Sequence, residues 1–317
     1  MAVIGRRLLY LVLVLLAVSF LILLLTELVP GDPALYILGE SASDEQVANV
    51  HHQMGLDQPL PERYVRWVGN AVHGDLGRSI RTQQPVWEMI KARIPVSLEL
   101  ALLTVGVALI LALPLGMYAA NRAEGPFDRA TGSLAAVTLS SPPFLTAIIL
   151  VYVLSVELKW LPIAGWIPLT EDPWENLRHV ALPVLASALF EVATWSRILR
   201  ADMVDTLDQD HVMAARAIGL PNRQVLFRYA LRPSSFSLVT VSGISLGRLI
   251  GGTVIIETIF ALPGLGQLVY TSINNKDLVV VQGAVLFVAT VYVVLSTLIS
   301  LAYRWLDPRI RTAERHG

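Results

Sequence analysis

Six stretches of this chain approach or exceed the roughly 20 apolar residues a helix needs to cross the hydrocarbon core of a bilayer. They lie near residues 8–29, 98–120, 132–155, 179–199, 236–256 and 281–303. Backbone surrounded by lipid must satisfy its own N–H and C=O groups, so each stretch is expected to be helical. With 54% hydrophobic and 15% charged residues, and a mean hydropathy of +0.59, a soluble domain is excluded. The expected fold class is all-α membrane protein with six transmembrane helices. The first stretch follows Arg6-Arg7, as a signal peptide would. Its apolar run exceeds the roughly 7–15 residues of a signal-peptide core and no small-residue cleavage site follows, so we read it as a retained helix.

A net charge of -1 conceals an asymmetry along the chain. With the N-terminus inside, Arg6, Arg7, Arg122, Arg129, Arg197, Arg200, Arg216, Arg223, Arg228, Arg232, Arg304, Arg309, Arg311 and Arg315 all fall in cytoplasmic segments. The opposite side carries fewer basic residues and most of the acids. Short loops enriched in arginine stay inside, so both termini and the loop at 200–235 are expected in the cytoplasm. The chain has no cysteine, which removes disulfides and thiolate metal sites from consideration. His51, His52 and His73 do not suggest a metal site either: neighbours on a helix point about 100° apart, and no third ligand has suitable spacing.

The longest polar stretch between two apolar segments is Asp210–Pro233, DHVMAARAIGLPNRQVLFRYALRP. Ala214, Ala215 and Ala217 favour helix, and Gly219 sits where a helix C-cap would fall. Pro221 can open a second helix at its first position. In that helix Val225, Leu226, Tyr229 and Ala230 share one face, with Arg223, Arg228 and Arg232 pointing away. Two short helices joined by a tight turn are expected, suited to docking a cytosolic partner. The plainer alternative is an Arg-rich loop that only sets topology.

The order of these residues resembles the EAA loop of ABC-type import permeases. The run His211-Val212-Met213-Ala214-Ala215-Arg216-Ala217-Ile218-Gly219-Leu220 is closest to the peptide-permease version, aromatic–Val–x–x–Ala–Arg–Ala–x–Gly–Leu. Met213 replaces the acid that names the motif, Ile218 stands where lysine is common, and Ser237 where many relatives have proline. What carries over is the helix–Gly–helix geometry rather than individual polar contacts. Three further fragments follow the order seen in the B-type subunit of dipeptide and oligopeptide permeases. They are Pro30-Gly31-Asp32-Pro33, then Gly55-Leu56-Asp57-Gln58-Pro59, then Gly74-Asp75-Leu76-Gly77 with Ser79. Later come Gly251-Gly252, then Glu257, Phe260, Pro263-Gly264 and Gly266, and finally Leu306-Asp307-Pro308-Arg309, all similar to runs in that family. The resemblance extends from about Arg6 to Arg311.

It implies the type I ABC importer permease fold with a helical extracytoplasmic insertion after the first helix, in a bacterial inner membrane. The expected organisation is residues 1–29 as cytoplasmic N-terminus and first span, and 30–96 as the outer helical region. Residues 97–311 form the five-helix core, and 312–317 a cytoplasmic tail. Within 30–96, Ser43 with Gln46 suits a capping box, and Pro61 opens a second short helix striped by Tyr64, Val65, Trp67, Val68 and Val72. The implied partners are a second homologous permease subunit, two ATP-binding subunits, an extracytoplasmic substrate-binding protein and the lipid bilayer. No nucleic acid is implied. The implied docking residues are His211, Ala214, Ala215, Arg216, Ala217, Gly219 and Leu220.

Pro114, Pro142-Pro143 and Pro183 fall inside apolar stretches. Such prolines kink membrane helices, either in ordinary packing or around a pathway. Glu191 and Arg248 are the charges most clearly set within apolar runs, where ionisable groups face a bundle interior or a wet cavity and pair. They are expected to pair or to line a translocation path; alternatively Glu191 snorkels to the cytosolic end or pairs with Arg197. Glu257 and Phe260 are candidates for the outer part of the same path, although Glu257 is equally suited to capping a helical turn.

The chain lacks Gly-x-x-x-x-Gly-Lys-Ser/Thr and His-Glu-x-x-His. Gly-x-Ser-x-Gly occurs once, at Gly243–Gly247, inside the apolar stretch 236–256 rather than at the strand-to-helix turn a nucleophile elbow needs. It is therefore expected not to be an enzyme and to hold no cofactor or metal, ATP being bound by the partner subunits. The expected function is the permease subunit of an ABC importer for dipeptides, oligopeptides or similar small polar solutes. The alternatives are an ion-gradient-driven secondary transporter or channel and, within ABC importers, uptake of nickel chelates or haem.

Overall fold

The computed structural model describes residues 2–27, 42–54 and 57–306. In chain order the helices are α1 (Ala2–Glu27), α2 (Asp44–Met54), α3 (Leu60–Val72), α4 (Val86–Asn121), α5 (Pro126–Ser140) and α6 (Pro143–Leu150), which widens into a π-helical segment at Val151–Glu157. Then come α7 (Pro173–Leu207), α8 (Asp210–Ala217), α9 (Asn222–Gln224, continued by a π-helical segment at Val225–Ala230), α10 (Leu231–Gly252), α11 (Val254–Ile259), α12 (Leu265–Asn274) and α13 (Leu278–Leu306). Among the described residues the remaining backbone is turns and loops, with an isolated antiparallel bridge between Arg78 and Pro85. Pro30–Pro33, Gly55-Leu56 and Asp307–Arg309, which carry part of the resemblance, lie outside the described residues, as does the tail at 312–317.

Helix occurs in all six apolar stretches, but the stretches are not six equal spans. Among the described residues, three helices are long and apolar enough to cross a bilayer: Val86–Asn121, Pro173–Leu207 and the described part of α13, Leu278–Ile299. The third stretch bends by 105° between α5 and the segment Pro143–Glu157. Pro142-Pro143 accounts for the break. Proline disfavours helical conformation in the residue before it, and both Ser141 (ψ 138°) and Pro142 (ψ 136°) are extended. The expected kinks at Pro114 and Pro183 are not breaks, since α4 and α7 run through them as continuous helix. The fifth stretch divides at Thr253, whose φ of -82° and ψ of 49° leave the helical region.

The chain forms two compact units, residues 1–97 with 263–294, and residues 98–262 with 295–317. In the first, the expected capping box is present: Ser43 N–H donates to Gln46 Oε1 (3.0 Å), and Gln46 N–H to Ser43 Oγ (3.3 Å). Helix α3 is tied to α1 by Tyr64, whose hydroxyl donates to the Leu16 carbonyl (2.8 Å), lies 2.9 Å from Ser19 Oγ, and whose ring meets Phe20 edge-on. Of the rest of its apolar stripe, Trp67 and Val68 are half-buried and Val65 and Val72 exposed, and α3 buries no residue completely.

The tightest part of this unit is the loop between α3 and α4. Gly74 and Gly77 have φ of +86° and +89°, reached at no steric cost only by glycine. Any Cβ on Gly77 would stand 2.9 Å from Val279. The loop delivers Ser79 and Ile80 to the buried Asp277, which accepts from the Ser79 hydroxyl (2.5 Å) and the Ile80 N–H (3.2 Å). Arg81 adds a 2.7 Å bond to Asn275, and Ser97 Oγ accepts from Leu265 N–H at 2.8 Å.

The second unit is built on α7. Asp172 caps it by accepting from Trp174 N–H (3.0 Å) and Glu175 N–H (3.1 Å), with Pro173 in the first turn. Its buried face carries Trp195, Leu199, Met203 and Leu207, packed with Val212, Val225, Ala230 and Leu238 from α8, the π-helical segment and α10. Gly116 lets α4 approach closely, since a Cβ there would stand 2.9 Å from the Ser196 carbonyl oxygen. Arg200 grips Asp128 through two hydrogen bonds (3.0 and 2.6 Å), joining α7 to the first turn of α5.

Asp277→Ala strands a buried hydroxyl and a buried N–H, at about 1–3 kcal/mol for each unsatisfied group. It is expected to lower the thermal unfolding midpoint of the purified protein in detergent. Asp277→Asn, which keeps one acceptor, is expected to fall between that variant and the native chain.

Candidate functional site

Two constellations in the second unit carry the chemistry the sequence singled out, and α10 belongs to both.

The first is the hairpin at 210–231. Helix α8 ends in a Schellman motif: Gly219 N–H donates to the Arg216 carbonyl (3.0 Å) and Leu220 N–H to that of Ala215 (3.3 Å). Gly219 is left-handed at φ +82°, yet nothing lies within 4 Å of where its Cβ would be. The constraint there is purely one of backbone conformation. Pro221 stands one position earlier than expected, as the residue before the helix. It is extended, and its carbonyl accepts from Gln224 (2.8 Å) and Val225 (3.1 Å). The arms are held together by buried Val212, Ala215, Val225 and Ala230. The His211 Nε2 lies 3.2 Å from the Tyr229 carbonyl, and when that nitrogen carries the proton it donates.

Of the expected docking residues, His211, Ala214, Arg216, Ala217 and Gly219 are exposed, Leu220 is half-buried, and Ala215 faces the core. Their exposed neighbours Met213 (52%) and Ile218 (74%), two of the three departures from the resembled family pattern, make the tip apolar. Arg223 flanks it, stacked over Phe227 at 6.0 Å. Beyond the turn the chain is helical without interruption through Val225–Ala230 into α10, with Leu231 N–H donating to the Leu226 carbonyl five residues back. Ser234 clasps this base to α7: its Oγ lies 2.9 Å from Thr206 Oγ1 and 3.1 Å from the Asp202 carbonyl.

The second constellation is Glu191 with Arg248. The structure pairs them, and thereby decides against a Glu191–Arg197 pair. Glu191 Oε1 accepts from Arg248 Nη2, and Oε2 accepts from the Ser245 hydroxyl at 2.9 Å. The Glu191 side chain is 3% exposed, that of Arg248 55%. A buried carboxylate is tolerable only with a counter-charge and donors, and here both of its oxygens are served. Ser245 was absent from the sequence reading. Its signal was its spacing three residues before Arg248, which puts both on one face of α10. A cavity of about 300 Å³ opens beside the pair.

Glu257 and Phe260, the candidates for the outer part of the path, are both enclosed within this chain. Glu257 is completely buried and Phe260 is 1% exposed, and neither lines the cavity beside Arg248. Their backbones instead shape the turn after α11: Leu262 N–H donates to the Glu257 carbonyl (2.8 Å) and Gly165 N–H to that of Phe260 (2.9 Å). Among the described residues, no group of three or more His, Asp or Glu side chains is placed to hold a metal ion.

The chain matches the family model for the inner membrane component of binding-protein-dependent transport systems over residues 112–312. It matches the model for the N-terminal part of such membrane components over residues 1–101. A Brucella abortus (strain 2308) protein, provisionally named as a peptide transport system permease, is 40% identical over 98% of this chain and 99% of its own length. A Sinorhizobium fredii (strain NBRC 101917 / NGR234) protein named as a probable peptide ABC transporter permease is 35% identical, covering 96% and 98%. The probable D,D-dipeptide transport system permease protein DdpB of Escherichia coli (strain K12) is 34% identical, covering 98% and 97%. Among solved structures, an amino acid ABC transporter crystallised with histidines shares the fold at a TM-score of 0.51 and 17% identity, over 68% of this chain and 94% of its own. The helices, the hairpin and these matches lead to one conclusion: the chain belongs to the family of binding-protein-dependent transport system inner membrane components.

Proposed function

We propose that this chain is a permease subunit of an ATP-driven peptide importer. It forms the membrane path with a second permease, and two ATP-binding subunits dock on the loop at 200–235. An extracytoplasmic binding protein delivers the peptide. In this arrangement residues 30–96 are the outer helical region, 97–311 contain the permease core, and both termini are cytoplasmic. The names of the relatives, peptide or dipeptide transport permeases, support the peptide as substrate; the binding-protein-dependent family supports the importer.

The observation that carries the mechanism is the continuity of hairpin and span. The exposed tip at Met213–Gly219 is backed by a packed core and runs through helix into α10, which bears Arg248. A partner that moves the tip therefore acts on a stiff arm rather than a loose loop. Movement delivered at one end biases a helix bundle between two arrangements, as packed elements with two discrete states require. Glu191 and Arg248 line the path in this reading, at the far end of the same arm. Hydrolysis of ATP belongs to the partners.

In reconstituted complexes, Gly219→Val is expected to uncouple ATP hydrolysis from peptide uptake with the protein still in the membrane. A β-branched residue is the least suited to positive φ. Gly219→Asn, which tolerates that conformation, is expected to keep most of the coupling. Full uptake by the valine variant removes the coupling role.

The ion pair yields an asymmetric expectation. Arg248→Gln leaves a buried carboxylate without its counter-charge, whereas Glu191→Gln frees a half-exposed guanidinium that water and headgroups can solvate. Thermal unfolding of the purified complex is expected to show a large loss for Arg248→Gln and a smaller one for Glu191→Gln, with partial recovery in the double variant.

A further inference from the structure

We infer that the cavity beside Arg248 is a docking site for the carboxylate end of the transported peptide, an inference that rests on the importer reading above. The cavity, about 300 Å³, lies between Pro143 at the start of α6, Phe190 and Glu191 on α7, Arg248 on α10, Thr253 at the break and Ile255 on α11. That volume is near the lower end of the roughly 300–1,000 Å³ typical of small-molecule sites, enough for the last one or two residues of a peptide.

Three features select the ligand chemistry. The Arg248 side chain is 55% exposed, and only one of its nitrogens is engaged with Glu191. A guanidinium presents five N–H donors in a planar fork suited to carboxylates. Next, Thr253 Oγ1 is a buried oxygen with no hydrogen-bond partner, on a residue that lines this cavity. A buried hydroxyl left unsatisfied is costly, so a small shift of the Thr253 side chain toward the cavity, where a ligand oxygen can meet it, is favoured. Apart from Ser187, whose hydroxyl donates to the Pro183 carbonyl, the remaining walls are apolar, Pro143, Phe190 and Ile255 among them, so the anionic group sits on an apolar body.

A cationic end finds no equivalent place. The Glu191 carboxylate is 3% exposed and its charge is already balanced by Arg248, so an amino terminus neither reaches it nor finds a free negative charge there. Glu191 and Ser245 act as positioning residues: they hold one edge of the guanidinium and leave the other free. A lipid phosphate has the same chemistry as the peptide carboxylate, and only the peptide's terminus can be varied without touching the membrane.

The test uses the complete complex in proteoliposomes of zwitterionic lipid, with the binding protein and ATP. Uptake is measured for one dipeptide as the free acid and as its C-terminal amide. Arg248→Gln alone risks misfolding, so the decisive comparison is Glu191→Gln, which keeps the guanidinium, against the Glu191→Gln/Arg248→Gln double variant, which lacks it. The binding protein is the same in both, so its own preference cancels. The acid-to-amide ratio of kcat/KM is expected to fall roughly ten- to hundredfold in the double variant, the scale of a lost charge-assisted hydrogen bond. Thr253→Val is expected to lower the ratio by a smaller factor.

An unchanged ratio overturns the inference and leaves the importer reading intact. So does a double variant whose defect follows added anionic lipid and not the peptide terminus, which assigns the site to a headgroup. A native complex that moves neither acid nor amide under ATP overturns both.

Discussion

The second unit depends on the register between α7 and α10. Two polar clasps set it: Ser234 against Thr206 and the Asp202 carbonyl at one end, and Ser245 with Arg248 against Glu191 at the other. The helices are antiparallel, and the clasps are separated by 15 residues on α7 (206 to 191) and 14 on α10 (234 to 248). At about 1.5 Å per residue these spans are matched at roughly 21–23 Å. Apolar packing alone is forgiving of small slides. Hydrogen bonds at both ends are not, because a one-residue slip leaves a buried carboxylate and a buried hydroxyl without partners.

That register gives the hairpin a mechanical meaning. Its arms share the core of α7, with Val212 and Val225 fully buried beside Leu199 and Met203. Its second arm runs on as helix into α10. Gly219 is needed because the chain must reverse at φ +82° between two helices whose buried faces are already committed. The π-helical segment at Val225–Ala230 places its extra residue in the same stretch, between the reversal and the first clasp. Wider turns of this kind are tolerated where packing on both sides holds them, and they recur at functional positions.

Several features were legible from neighbouring residues alone. The Ser43–Gln46 capping box and the reversal at Gly219 each follow from rules that act over a few residues, whereas Pro142-Pro143, read as a kink within one stretch, breaks it by 105°. The fifth apolar stretch was harder to read. Hydropathy carried it through to residue 256, but α10 ends at Gly252 and Thr253 turns the chain into a separate short helix. Glu257 shows the limit most plainly. Its position in a motif placed it near an entrance, whereas its side chain is fully enclosed, and enclosure depends on neighbours far away in sequence.

By itself the amino-acid sequence determined the class of fold, the family and the local reversals. Hydrophobic length, arginine placement, caps and glycines act through the nearest turn of chain or the nearest membrane surface. Tertiary structure decided which charges meet and which stay open. Glu191 had Arg197 six residues away and Arg248 fifty-seven away, and only the packing of α10 on α7 brings the distant arginine to its carboxylate. Asp277 likewise finds Ser79 across 198 residues. Such pairings are set by the three-dimensional register of helices, because a buried charge is tolerated only where the folded chain supplies its partner.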